Sequence, residues 1–379
     1  MLALALGACE KTAPPKVPTL AVPSWYSPEK VPAVAAALAR FDQPVATKVL
    51  FGKREALRHK FILGVKRGDF ADVALVRNEW LGPLVEAGGV RPLSPALAEA
   101  VRSRALPAIL PAITIGEKVY AGPFDADALV VWYRRDLAEG VGFHPDLDWT
   151  TADFVALARS LSEDRPAFAF SALRYANAAL TFLPWYFGRG GQVRTGDELA
   201  LVSDAAAATF DFLQSLVAEK IAPAGVAGLA QNDVFAGLAG GQYALVMGGS
   251  WERGMLRRQS RYADRIDCLP VPGEGGHVST TVIGGWSLVQ FANADADAEM
   301  LMRAFFAADT QTAKLHENGL LPVRRDLLSD AWFTENRDGP TLRFALEHGH
   351  ALPLHVGTAV FLDGVATKLA EAFLGQSDH

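Results

Sequence analysis

The sequence predicts an α/β protein of two lobes, each assembled from separate stretches of chain, with a cleft between them. Three observations lead there. At 379 residues the chain exceeds one ordinary core, and roughly 100–200 residues per domain gives two or three units. Its first hundred residues alternate strand and helix signals, the pattern of a parallel sheet covered on both faces. Beyond Gly122-Pro123 the rhythm becomes mostly helical, and a strand returns only near Val282–Val289, so the chain enters a second unit and comes back. Such a path lays several connecting segments side by side at the floor of a cleft.

The elements follow in order. Thr19–Val22 reads as a short buried strand. Ser27-Pro28-Glu29 supplies a cap, a first-turn proline and an early acid to a helix carrying Val31, Val34, Leu38 and Phe41. Val45–Phe51 is the second strand, Lys53–Val65 a helix, Ala71–Val76 the third strand, and Glu79–Ala87 a helix stopped by Gly88-Gly89. Ala128–Tyr133 is a β-rich run. Thr151 is expected to cap a helix with Phe154, Leu157 and Leu161, and Ser203 one with Phe210, Leu213 and Val217. From Asp295 the reading is helical again, apart from the turn Gly319–Pro322.

Composition narrows the function. Apolar residues make up 50% and charged residues 21%, the balance of a folded globule. With 36 Lys and Arg against 42 Asp and Glu, the net charge of −6 argues against a nucleic-acid partner. The densest basic stretch, Lys53 to Arg67, reads as a solvated helix face. Two cysteines cannot form a disulfide framework. Cys268 lies in an apolar run and is expected to be a buried thiol. Cys9 closes Leu6-Gly7-Ala8-Cys9, a fit to the lipobox in which small residues admit the peptidase and the thiol is acylated. Residues 1–8 then read as a signal remnant, short of a basic region as from a truncated start, and 9–18 as a Pro-rich tether. The expected location is the periplasmic or extracellular face, anchored by lipid and not spanning.

Catalytic signatures are sparse. Gly248-Gly249-Ser250-Trp251-Glu252 lacks the last glycine of a nucleophile elbow, and His316-Glu317 lacks a second metal-binding histidine. Glu347, His348, His350 and His355 match no closed metal-site spacing. No cofactor is implied. Four of the eight tryptophans, Trp25, Trp185, Trp251 and Trp286, sit at breaks between elements, where flat rings are available to stack on a sugar while nearby acids and arginines take its hydroxyls.

Taken together, Ala71-Asp72-Val73 after Gly68-Asp69-Phe70, Trp80-Leu81, Gly116–Tyr120, Tyr133–Leu137, Gly190-Gly191, Met247–Trp251, Leu269–Gly273, Gly284-Gly285 and Leu321–Arg324 resemble, in order and spacing, the family 1 extracellular solute-binding proteins of ABC importers, the maltose-binding-protein-like group. The resemblance runs over about residues 18–330. It implies a type II periplasmic-binding-protein fold whose lobes are 19–124 plus 284–320 and 128–280 plus 325–379. The hinge crossings would fall near Phe124–Ala128, Thr280–Gly284 and Leu321–Arg324. It also implies an ABC permease as partner and a monomeric binding protein that is not an enzyme.

By the same resemblance Trp251 takes the place of a stacking Trp, Asp127 that of a hydroxyl-binding acid, Arg77-Asn78-Glu79 that of a binding loop, and Arg324 that of a ligand-contacting arginine. Val76 stands where a stacking ring is expected, so Trp25, Tyr26 or Trp286 would supply it. Asp125 or Asp127 should face the cleft, but not both. Trp185 completes the candidate ligand-binding set. The leading expectation is a mono- or oligosaccharide captured by lobe closure. Glycerol phosphate or a polyamine is the alternative within the binding class, and a periplasmic hydrolase the alternative outside it.

Overall fold

Eight strands carry the fold in the computed structural model, which describes residues 17–374 apart from 43, 68, 69, 145, 203, 279 and 295–297. Cys9, most of the tether, Gly68-Asp69 and the expected cap Ser203 fall outside the described residues. The strands are β1 (Thr19–Pro23), β2 (Ala46–Leu50), β3 (Val73–Arg77), β4 (Ala121–Arg134), β5 (Phe168–Ala169), β6 (Leu245–Gly249), β7 (Ile266–Leu269) and β8 (Ile283–Gln290). Their order is β2-β1-β3-β8-β4-β6-β5, and β7 also pairs with β4. β1, β2 and β3 run parallel, as the alternation predicts, and β8 is antiparallel to both β3 and β4.

The decisive element is β4. All fourteen of its residues are buried. Ala121–Ala128 pair with β8 in the first lobe, and Leu129–Arg134 pair with β6 and β7 in the second, so one strand belongs to both lobes. Its side chains alternate as a strand's must: Val130 and Trp132 enter one apolar core, and Leu129, Val131 and Tyr133 the other. The three segments expected to cross lie side by side. Gly284 is opposite Asp127 on β8, and the Ala126 amide donates to the Leu321 carbonyl at 3.2 Å.

Buried polar side chains bind these segments together. Gln311, on the helix Ala308–Asn318, donates to the Phe124 carbonyl at 2.9 Å and accepts from the Val323 amide at 3.1 Å. One turn on, Lys314 also donates to the Phe124 carbonyl, with its ammonium 3.8 Å from the centre of the Phe124 ring. Burial pulls the Lys314 pKa down to about 7, against the pull of Asp125. At Gly285, φ is 138°, and a Cβ would meet the Asp125 carbonyl well under 3.0 Å, so only glycine permits this approach.

Local details depart from expectation. The first helix starts at Pro32, because Pro32 takes its first turn, while the Ser27 carbonyl accepts the Lys30 and Val31 amides in a turn of its own. The cap expected at Thr151 is Thr150, in a reciprocal box with Asp153. Glu79–Ala87 divides into a 3-10 turn, Asn78–Trp80, and a helix, Leu81–Glu86. Cys268 is a buried free thiol, as expected.

Two outcomes follow. Gly285→Ala should lower the unfolding free energy by roughly 1–3 kcal/mol in urea titration, the usual cost of forcing a side chain into such a conformation. Lys314 binds fewer protons folded than unfolded between its lowered pKa of about 7 and its ordinary 10.5, so it makes stability rise with pH across that window. Melting temperatures of Lys314→Met should lack that rise, and an identical rise in the variant would place the titration elsewhere.

Candidate functional site

At the carboxyl ends of β1 and β3 the chain leaves the sheet, the place where open α/β sheets leave a crevice. β1 runs into the turn Ser24–Tyr26, and β3 ends on Arg77 and runs into Asn78–Trp80. β8 brings Trp286, and β4 brings Asp125 and Asp127. Eight of the eleven candidates therefore meet on the first lobe: Trp25, Tyr26, Arg77, Asn78, Glu79, Asp125, Asp127 and Trp286.

Their polar groups are already paired. Arg77 donates to Asp127 at 2.6 Å and through Nε to both Glu79 oxygens at 3.1 and 3.3 Å. Burial opposes its charge, but Glu79 and Asp127 outweigh burial and hold its pKa above the ordinary value. The Asn78 side-chain oxygen accepts from Ser287 at 2.6 Å. Asp125 accepts from the Tyr26 hydroxyl and, at 2.8 Å, from the Trp286 amide. Burial, reinforced by Asp127, pushes Asp125 up to about 7, while Lys314 pulls the other way. Burial and then Asp125 raise Tyr26 well above the ordinary phenol.

Rings surround this network. Trp286 meets Trp25, Tyr26 and Trp80 edge-on, with centres 5.7, 5.5 and 5.5 Å apart, and the Arg77 guanidinium lies 5.5 Å from its own ring centre. Tyr26, Trp80 and Trp286 are buried, whereas Trp25 is 38% exposed and offers a ring to solvent.

Facing Arg77, Asn78 and Glu79 across the cleft is an aliphatic wall. Leu180 comes from the helix Ala176–Phe187, Leu352 and Pro353 from the segment before the last helix, and Thr358 and Leu362 from that helix, Thr358–Leu374. Val282, Ile283 and Gly284 form the floor. The space enclosed is about 30 Å³, room for a water or two.

Three candidates are placed elsewhere. Trp185 is fully buried in the second core, 5.1 Å from Phe154 and 5.0 Å from Phe212, because its helix is apolar on nearly every side. Arg324 is turned away, bonded to Asp326 at 2.9 Å and the Phe306 carbonyl at 3.2 Å. Trp251 follows β6 beside the crossing, where Ser250 accepts the Ala128 amide. Its half-buried ring lies over Gly249 and packs on the second core, outside the cavity lining. Asp125 and Asp127 lie on the same side of β4, because the irregularity in the pairing falls between Trp286 and Ser287, before both acids, and neither lines the cavity.

Gln311, Lys314, Leu180, Leu352, Thr358 and Leu362 were not singled out from the sequence. The aliphatic ones carry no signal that separates them from core residues. Gln311 and Lys314 do: both are polar at positions one turn apart on a helix that buries Thr310 and Leu315 beside them. Among the described residues no cluster of metal-ligating side chains is present, and no helix is long and apolar enough to cross a membrane. His350 packs on Phe187, and His355 bonds the Gly196 carbonyl.

With this geometry in view, comparisons with known proteins are specific. A probable ABC transporter-binding protein of Deinococcus radiodurans is 23% identical over 279 residues. That match takes in 71% of this chain and 66% of the relative's own length, just under two thirds. Among solved structures, the maltose-bound MalE3 of T. maritima matches with a TM-score of 0.79 at 19% identity, covering 95% of each chain. The GacH receptor of Streptomyces glaucescens, solved unliganded and with acarbose, matches at 0.80 and 19% identity, covering 96% of this chain and 94% of that one. These likenesses establish the two-lobe fold. The family model for bacterial extracellular solute-binding proteins matches residues 29–311, about three quarters of the sequence. The chain belongs to the bacterial extracellular solute-binding protein family.

Proposed function

We propose that this protein captures a mono- or oligosaccharide in the interlobe cleft and delivers it to an ABC permease by closing its lobes, 19–124 plus 284–320 and 128–280 plus 325–379, about the β4 crossing. The observation that carries the reading is the polar segment Arg77-Asn78-Glu79, set against the second lobe and backed by Asp127 and the Trp286 ring through Arg77. Hydroxyls suit such a wall, since they can exchange hydrogen bonds with carboxylate, amide and guanidinium groups and Trp25 presents a ring. The solved relatives carrying maltose, maltotetraose, acarbose or α-D-tagatose support the same class of ligand.

Charge separates this reading from its alternatives. A phosphate ester needs a guanidinium with free donors at the site, and Arg77 is shared between two carboxylates. A polyamine needs uncompensated acids between rings, and Asp127 and Glu79 both face Arg77. A neutral, hydroxyl-rich ligand disturbs neither pairing. Catalysis is not part of the proposal, and the family consists of solute-binding proteins.

The leader and Cys9 fit a membrane tether, with the globule held at the periplasmic or extracellular face and acting as a monomer. The expected partner is the permease, reached by the closed form.

A thermal-shift screen tests the ligand class. Maltose, maltotetraose or tagatose at a hundred times its Kd should add about 2.7 kcal/mol and raise the melting temperature by a few degrees. A shift with glycerol phosphate or spermidine and none with any sugar would overturn the carbohydrate reading. For the tether, a palmitate analogue should label the full chain expressed in bacteria and fail to label Cys9→Ala; equal labelling of both removes Cys9 as the anchor.

A further inference from the structure

The cleft is crossed by contacts that need no ligand. In the helix Leu81–Glu86 of the first lobe, a Cβ on Gly82 would collide with the carbonyl of His355, well under 3.0 Å away. His355 belongs to the segment that enters the last helix and is held to the second lobe through the Gly196 carbonyl. Beside it, the Leu354 amide donates to the Pro111 carbonyl of the first lobe at 2.7 Å. Arg58 and Asp363 add an ion pair at 3.8 Å across the rim, partly exposed and worth little.

These contacts bring the aliphatic wall of Leu352 and Leu362 onto Arg77 and Asn78, leaving about 30 Å³. Ligand pockets are roughly ten times that size or more, from about 300 Å³. The polar wall tolerates the covering because its groups are satisfied internally, by Asp127, Glu79 and Ser287.

We infer that the segment Leu352–Leu362 and Gly82 form an autoinhibitory contact, a self-closed state of the lobes that excludes the ligand and competes with it. The glycine itself argues for this. Alanine would favour the helix over glycine, and a Cβ at position 82 would run into the backbone of His355 and Val356. Competition lowers the apparent affinity by the fraction of molecules left open: a self-closed population of nine in ten weakens binding about tenfold. The inference rests on the reading of this cleft as the ligand site, but not on which ligand it takes.

Double electron–electron resonance on the full chain tests it. Spin labels at Leu63→Cys and Val360→Cys, both exposed and on opposite sides of the rim, report the interlobe distance in a Cys9→Ser background with Cys268 buried. Without ligand, Gly82→Ala should move population to longer distances. Leu354→Pro, which deletes the amide donor, should do the same should the first variant misfold. With maltotetraose as probe, Gly82→Ala should bind on the order of tenfold tighter than the parent. Identical distance distributions in parent and variants overturn the self-closed state. Longer distances in the variants with maltotetraose binding neither protein leave self-closure standing and remove maltotetraose as the ligand, the carbohydrate reading itself being decided by the thermal-shift screen.

Discussion

The Phe124 carbonyl is where the structure is held together. It belongs to the strand that serves both lobes, and it accepts from two buried side chains of one helix, Gln311 and Lys314. A main-chain acceptor at a crossing between lobes loses the ladder partner it would have inside a sheet, and leaving it bare would cost a few kcal/mol. Gln311 answers that need and, through its other end, holds the Val323 amide of the third crossing. Lys314 places a cation in the same spot, compensated by the Phe124 ring and by Asp125. The crossings are thus fixed to one another, with their backbone groups joined by fully buried polar side chains. Such networks specify geometry when every member is satisfied.

From those crossings the site inherits its electrostatics. Asp125 is turned toward Tyr26 and the Trp286 amide, one residue from the clamped carbonyl, and Asp127 toward Arg77. The wall proposed to face the ligand is therefore the outer layer of the network at the crossings. Anything that displaces Trp286 or Arg77 acts on the residues that bind the crossings, and a ligand touching them can bias lobe position without a separate relay.

How much of this was legible in the residues depends on the physical signal each carries. Strand–helix alternation in the first hundred residues gave the parallel sheet because buried parallel strands are continuous apolar runs bounded by turns. Trp25 and Trp286 stood out as rings at breaks between elements, whereas Tyr26, Arg77 and Asp127 came from the family resemblance. Trp185 carried the same kind of signal and is core, since a ring before glycines packs under a turn as readily as it lines a cleft. Arg324 was misplaced because a side chain beside a crossing has two directions available, and Asp326 two residues on captured it. The aliphatic wall was illegible: Leu180, Leu352 and Leu362 differ from core leucines only in what the other lobe does.

The asymmetry of the two walls bears on the proposed balance between self-closed and ligand-bound lobes. The first lobe's wall holds its charges in internal pairs whether covered or not, so covering it costs little desolvation beyond that already incurred in folding. The second lobe's wall is aliphatic and gains on being covered, about 2.5 kcal/mol for every 100 Å² of apolar surface removed from water. Covering by the first lobe and covering by a ligand draw on the same surface. A sugar's C–H face can replace the protein contact while its hydroxyls address the paired acids opposite. The two covered states then differ by only a few hydrogen bonds and a rigid-body displacement. Differences of that size, a few kcal/mol, are the range in which a ligand can move a population.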